Sequence, residues 1–117
     1  MREIKFKLWH KGFKKFFTTN YSDQISMMPD GNIFWMGECE TDNFIILQYT
    51  GLKDENGREI YEGDIVRHAT WGDVYEVIFE DGGFYVLSSY DFQTINEYPL
   101  EVIGNIFENP ELLEGEK

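Results

Sequence analysis

The chain has 117 residues, 42% of them hydrophobic and 17% aromatic, with ten Phe, seven Tyr and three Trp; one core suits that length, and so large an aromatic share excludes a disordered chain. Its formal charge of −12 sets most of the surface against nucleic-acid phosphates. No apolar run approaches the ~20 residues that cross a bilayer, and the single cysteine, Cys39, excludes an internal disulfide and reads as a small buried or half-buried thiol.

Ile4-Lys5-Phe6-Lys7-Leu8-Trp9 alternates apolar and basic residues until Trp9, the period of a strand with one buried and one wet face. His10-Lys11-Gly12 supplies a turn and residues 13–19 a return strand, so residues 3–19 predict a basic hairpin. The start lacks the apolar core of a secretory signal, which points to the cytoplasm. Residues 22–32 are rich in turn formers, with Pro29 and Gly31 as punctuation. Residues 33–36 and 44–49 predict strands, and the acidic stretch 38–42 between them a solvated loop.

Residues 50–64 hold Gly51, Gly57 and Gly63 near Thr50, Asp54, Asn56 and Asp64, a pattern of loop and turn chemistry. Residues 65–68, 74–79 and 84–87 predict three strands joined by hairpin turns at Trp71-Gly72-Asp73 and Asp81-Gly82-Gly83, with Tyr75, Val77 and Phe79 on one face. His68 reads as a half-exposed strand residue. Residues 100–107 predict a closing strand in which Gly104 marks a bulge or a close backbone approach. Asn109-Pro110-Glu111-Leu112-Leu113 has a cap residue, then Pro at the first helical position, and predicts one helical turn. The expected fold is mainly β: a small SH3-like or pseudo-barrel of short antiparallel strands, with an N-terminal hairpin and a short C-terminal helical turn. One domain is expected over 1–117, with the hairpin at about 1–20 and a barrel-like core at about 44–113.

Catalytic signatures are missing from this sequence. It has no Gly-x-Ser-x-Gly and no phosphate-binding Gly-x-x-x-x-Gly-Lys. Asp54-Glu55-Asn56-Gly57 fails as a calcium loop because Arg58 and Glu59 occupy the fifth and sixth positions, where an oxygen ligand and a glycine belong. His10, His68 and Cys39 have no zinc spacing. Glu62 and Asp64 would share a strand face as a carboxylate pair for acid–base chemistry or magnesium, but with acids so abundant in this chain a turn in which Asp64 binds backbone amides, with Glu62 solvated, is the reading preferred. We therefore expect no catalytic residue, metal or cofactor.

Charge is distributed unevenly. Through Lys15 there are six basic residues and one acid, and the remainder carries four basic residues and 21 acids. Lys5, Lys7, Lys11, Lys14 and Lys15, with Trp9, Phe13, Phe16 and Phe17 as stacking surfaces, form a candidate polyanion-binding face. The bland alternative is that these lysines protect an exposed edge strand, or dock on the acidic remainder or on a neighbouring copy.

Four stretches together resemble the YopX family of phage and prophage proteins. They are the opening Met1-Arg2-Glu3-Ile4-Lys5-Phe6-Lys7-Leu8-Trp9, the central Gln48-Tyr49-Thr50-Gly51-Leu52-Lys53-Asp54-Glu55-Asn56-Gly57, its continuation Ile60-Tyr61-Glu62-Gly63-Asp64-Ile65-Val66, and the closing Glu101-Val102-Ile103-Gly104-Asn105-Ile106-Phe107 with Glu108-Asn109-Pro110-Glu111-Leu112-Leu113. Lys7 stands where the family often has Arg, and His10 where an acid often follows the Trp. The resemblance implies a phage-encoded cytoplasmic protein, mainly β and barrel-like, with self-association, and carries over no activity. It marks Tyr49, Thr50, Gly51, Leu52, Asp54, Asn56, Gly57, Tyr61, Glu62, Gly63 and Asp64 as the motif and a candidate interaction surface. Three functions remain open. The first is a non-catalytic module contacting a host or phage protein, the second an acidic mimic of DNA that blocks a host DNA-binding protein, and the third a single-stranded nucleic-acid binder acting through the basic hairpin.

Overall fold

The structure, a computed structural model, describes residues 5–17, 25–88, 92–95 and 99–114. It is mainly β, with a short C-terminal helix. The chain divides into two compact units, residues 5–48 and residues 49–117 together with 1–4. Among the described residues no helix is long and apolar enough to cross a membrane.

In the first unit β1 (Phe6–His10) pairs antiparallel with β2 (Lys15–Phe17) and, on its other side, with the first half of β6 (Phe44–Lys53). The predicted hairpin is therefore present, but β1 is flanked on both sides and is not the exposed edge. A three-stranded meander follows, made of β3 (Ile25–Met27), β4 (Ile33–Trp35) and β5 (Glu38–Cys39). The acidic stretch 38–42, expected as a solvated loop, thus contributes a short strand, and Thr41–Asn43 forms a 3-10 turn. The core of this unit is Leu8, Phe17, Ile25, Ile33 and Phe44, with Met27, Trp35 and Ile46 packed against it.

In the second unit the order β11-β10-β9-β8-β12 curls into a half-barrel. Its strands are β8 (Asp64–His68), β9 (Val74–Glu80), β10 (Gly83–Leu87), β11 (Phe92–Thr94) and β12 (Leu100–Asn105). The core comprises Ile60, Val66, Tyr75, Val77, Phe84, Val86, Ile95, Leu100 and Val102. Each aliphatic side chain buried to this degree contributes roughly 1.5–3 kcal/mol. Tyr75 and Val77 turn inward as their shared face predicts, while Phe79 at the strand end is 41% exposed and leans on Phe84 at 4.9 Å. The β9–β10 turn has Asp81 and Gly82 at φ 50° and 81°, the mirror-image geometry that Asp-Gly favours in two-residue hairpins. In β12 the register against β8 shifts between Val102 and Gly104, the predicted bulge, and α1 (Glu111–Glu114) follows.

Residues 50–64 are not the continuous loop their glycines suggested. The second half of β6 pairs with β7 (Glu59–Tyr61), the ladder slipping between Tyr49 and Lys53. Gly51 takes φ 88° at the slip, a conformation that costs a glycine nothing. The Thr50 hydroxyl bridges the gap: it donates to the Ile60 carbonyl at 2.8 Å and accepts the Leu52 amide at 3.1 Å. One side chain thus replaces ladder bonds that the bulge removes.

The same turn closes a strand in each unit. His10 Nδ1 accepts the amides of Gly12 and Phe13 at 3.1 and 2.9 Å, and its carbonyl accepts the Lys14 amide. His68 Nδ1 accepts the amides of Thr70 and Trp71, both at 3.1 Å, and its carbonyl accepts the Gly72 amide. Nδ1 acts as acceptor in both rings, so the ring proton is assigned to Nε2. The aromatic three residues on packs against the imidazole, Phe13 at 4.6 Å and Trp71 at 4.3 Å between ring centroids. His68 is buried rather than half-exposed because two amides and an indole enclose it.

The fifth residue of each turn has positive φ, 83° at Gly72 but 56° at Lys14, where a side chain costs roughly 1–2 kcal/mol. Lys14→Gly should therefore stabilise the protein by about 1 kcal/mol less the entropy of the freer glycine, and Gly72→Lys should destabilise it by a similar amount. Urea midpoints of the two variants measure this, and equal midpoints would contradict a shared turn.

Candidate functional site

Three regions compete as the working surface. Among the motif residues of the second unit, Thr50, Asp54 and Asp64 direct their polar atoms inward, whereas Asn56 and Gly57 are exposed on the turn. Asp54 is 7% exposed; its Oδ1 accepts the Asn56 and Arg58 amides and its Oδ2 the Val102 amide, all at 2.9 Å. Burial by itself would push this carboxyl up, but the three amide bonds, together with the neighbouring Arg58 charge, outweigh it and hold the pKa below the usual carboxylate value. Asp64 Oδ2 accepts the Tyr61 amide at 2.8 Å, as the turn reading of this segment anticipates. The Gly63 amide donates to Val77 and its carbonyl accepts from Ile106, while Tyr49 stacks obliquely on Tyr61 at 5.3 Å. Gly57 closes the Asp54 turn through its amide, Leu52 packs on the core, and Glu62 is half-buried. Thr50, Asp54 and Asp64 thus hold this segment through buried side-chain bonds to backbone groups.

On the basic hairpin, Lys5, Lys7 and Trp9 alternate along one face, yet Trp9 is buried, so the wet face expected there is wet only in part. Trp9 meets Phe16 edge-on at 4.8 Å, the Lys7 ammonium lies 5.0 Å from the Phe16 ring centre, and that of Lys15 lies 5.0 Å from the Phe17 ring centre. Phe17 is buried and Phe16 half-buried, leaving Phe13 as the well-exposed ring. Lys11 and Lys14 are exposed at the tip. The stacking row that the sequence suggested is thus reduced to one ring.

The third region is a cleft of about 510 Å³ in the first unit, lined by His10, Phe13, Trp35, Met36, Glu38 and Glu40 with Asn43. Its wall is made of rings: Phe13 and Trp35 lie 5.7 Å apart at 84°, with His10 4.6 Å from one and 5.5 Å from the other. Phe13 is 63% and Met36 67% exposed. The Glu40 carboxylate accepts from the Asn43 amide group. Cys39, expected to be buried or half-buried, is exposed beside it because β5 is a two-residue outer strand, and its Sγ lies 3.4 Å from Thr41 Oγ1. No motif or spacing in the sequence points directly to this cleft. Its one clue was Met36-Gly37 between two β-prone runs, a turn dipeptide in which methionine is out of place.

The family model described as YopX protein matches residues 5–114. Among curated proteins, the SPbeta prophage-derived uncharacterized protein YopX of Bacillus subtilis (strain 168) is 41% identical over 73 residues, covering 52% of this chain and 54% of that protein. The chain thus spans about half the length of the curated relative it matches. Among solved structures, the crystal structure of protein EF1440 from Enterococcus faecalis is similar with a TM-score of 0.64 and 30% identity, covering 97% of this chain and 99% of that one.

Proposed function

Given that the chain belongs to the YopX family, we propose that it is a non-catalytic interaction module of prophage origin, acting in the bacterial cytoplasm by docking a host or phage protein in the ring-walled cleft of its first unit. The observation that carries this reading is the exposure of Phe13 and Met36 on the wall of one cleft, since large apolar side chains gathered in a concave site commonly mark a binding surface. The inward-facing motif supports it from the other side: Thr50, Asp54 and Asp64 serve the scaffold, which leaves recognition to the cleft. An exposed thiol at Cys39 suits a reducing compartment. Nucleic acid on the hairpin is the weaker reading, because stacking needs free ring faces and two of its four rings are buried.

The test is affinity capture from host lysate with wild type, Phe13→Ser and Phe92→Ser. Phe92 is also exposed, at 51%, but belongs to the second unit. A partner retained by wild type and Phe92→Ser but lost from Phe13→Ser is the expected result. A partner held equally by all three, or none in repeated trials, would remove the reading.

A further inference from the structure

We propose that the cleft is an arginine pocket, receiving the guanidinium group of a basic segment on the partner protein. The inference rests on the interaction reading above and specifies its chemistry. Two carboxylates, Glu38 and Glu40, line the cleft and neither Lys nor Arg does. Glu40 is held by Asn43, whereas the exposed Glu38 carboxylate makes no hydrogen bond or ion pair among the described residues. An apolar occupant would strand that charge against the rings, at the cost of an unpaired ion, and an anion would be repelled by it. A cation satisfies both the charge and the rings, because the face of Trp or Phe attracts positive charge through its quadrupole.

The ring geometry selects the kind of cation. Phe13 and Trp35 meet almost at right angles, so a flat group lying on one ring abuts the edge of the other. A guanidinium is planar, weakly hydrated and able to give parallel N–H donors to a carboxylate while stacked, whereas an ammonium is compact and strongly hydrated. A cleft of about 510 Å³ also suits a long planar group better than a small spherical one.

Met36 lines the mouth of the same cleft. In the two-residue β4–β5 turn Met36 and Gly37 have φ 52° and 85°, a geometry that favours Asn or Asp at the first position. A non-glycine side chain there costs roughly 1–2 kcal/mol, yet this one is a flexible, polarisable thioether, well exposed on the lip of the cleft.

Titration of the protein, followed by amide NMR shifts around Trp35, with a short peptide of arginines spaced by glycine and serine should show saturable binding. The same peptide carrying citrulline, equal in shape but uncharged, should bind at least about tenfold more weakly, and the lysine version should also be weaker. Glu38→Gln and Phe13→Ser should each weaken the arginine peptide about fivefold or more, while Glu111→Gln, outside the cleft, should leave it unchanged. Met36→Asn should weaken binding while raising the unfolding midpoint, an outcome that mere loss of folding cannot produce. Equal binding of the citrulline peptide, lysine binding as tightly as arginine, or Glu111→Gln costing as much as Glu38→Gln would overturn the pocket. So would cleft shifts that grow with protein concentration alone, which would assign the cleft to a second copy. If capture from lysate depends on Phe13 while the arginine peptide fails to bind, the interaction reading stands and the arginine assignment falls.

Discussion

Replacing Asp54 by Ala is expected to destabilise the protein by about 4 kcal/mol, the largest effect of any single substitution considered. The carboxylate accepts three backbone amides; hydrogen bonds to a charged group are worth ~1.5–3 kcal/mol each, and amides left unpaired in a buried site add a desolvation cost. The sum exceeds the prediction because the turn will relax and water will reach some of the amides. Asp54→Asn should cost about half as much: its oxygen still serves Asn56 and Arg58, but its NH₂ group faces the Val102 amide, donor against donor.

The pH dependence has a definite sign. The folded-state pKa of Asp54 lies below its ordinary value, so its contribution is complete above the unfolded-state pKa of about 3.9 and is lost as pH falls through the lower folded value. Glu76 works the other way. Burial raises its pKa, so its penalty is present above the raised value and disappears as pH falls through the unfolded one. Denaturation of wild type and Asp54→Asn compared at each pH isolates the first effect. The two stabilities should differ most near neutrality and converge in acid, and a constant gap would show that the charge of Asp54 is not what stabilises the turn.

Gly104→Val is the second large prediction, with an expected loss of about 3 kcal/mol and roughly half that for Gly104→Ala. A Cβ at this position would stand 2.7 Å from Asn109 Oδ1 and 2.9 Å from Leu112 Cδ1. Asn109 cannot swing away freely, since its Oδ1 accepts the Asn105 amide at 3.3 Å. The added carbon therefore works against the strand bulge and α1 together. Faster hydrogen exchange at the Leu112 amide, which is bonded to the Asn109 carbonyl, should accompany the loss. In a double-mutant cycle Asn109→Ala should recover part of the Gly104→Ala penalty; strict additivity would place the cause elsewhere.

These two sites also show how far the sequence could be read. The Gly104 bulge, the Asp81-Gly82 hairpin, the strand 74–79 and the closing helical turn were legible because each rests on local chemistry: alternation, a turn dipeptide, a cap followed by proline. The family resemblance was legible for a related reason, since Thr50, Gly51, Asp54 and Asp64 are demanded by particular backbone bonds and few residues could replace them. The pairing of β6 with β7 was hidden because a side-chain hydroxyl stands in for ladder hydrogen bonds, which in sequence looks like one more turn former. Burial of Trp9 was missed because it depends on packing from beyond its own strand. The cleft was hidden most completely. It requires Phe13, in the turn of the first hairpin, to meet Trp35 and Glu38, which face each other across the β4–β5 turn more than twenty residues on, and Met36 to accept a backbone conformation that its residue type disfavours.

The paired histidine turns carry an implication for how such a surface can change over time. In each loop the imidazole takes two amides and the second position, Lys11 in one and Ala69 in the other, contributes its backbone amide to a neighbouring carbonyl, so the exposed side chain at that position has no duty in holding the bend. Charge at these tips can be written or erased while the scaffold stays intact, which leaves a lineage free to retune long-range attraction toward a new target without first relearning how to fold.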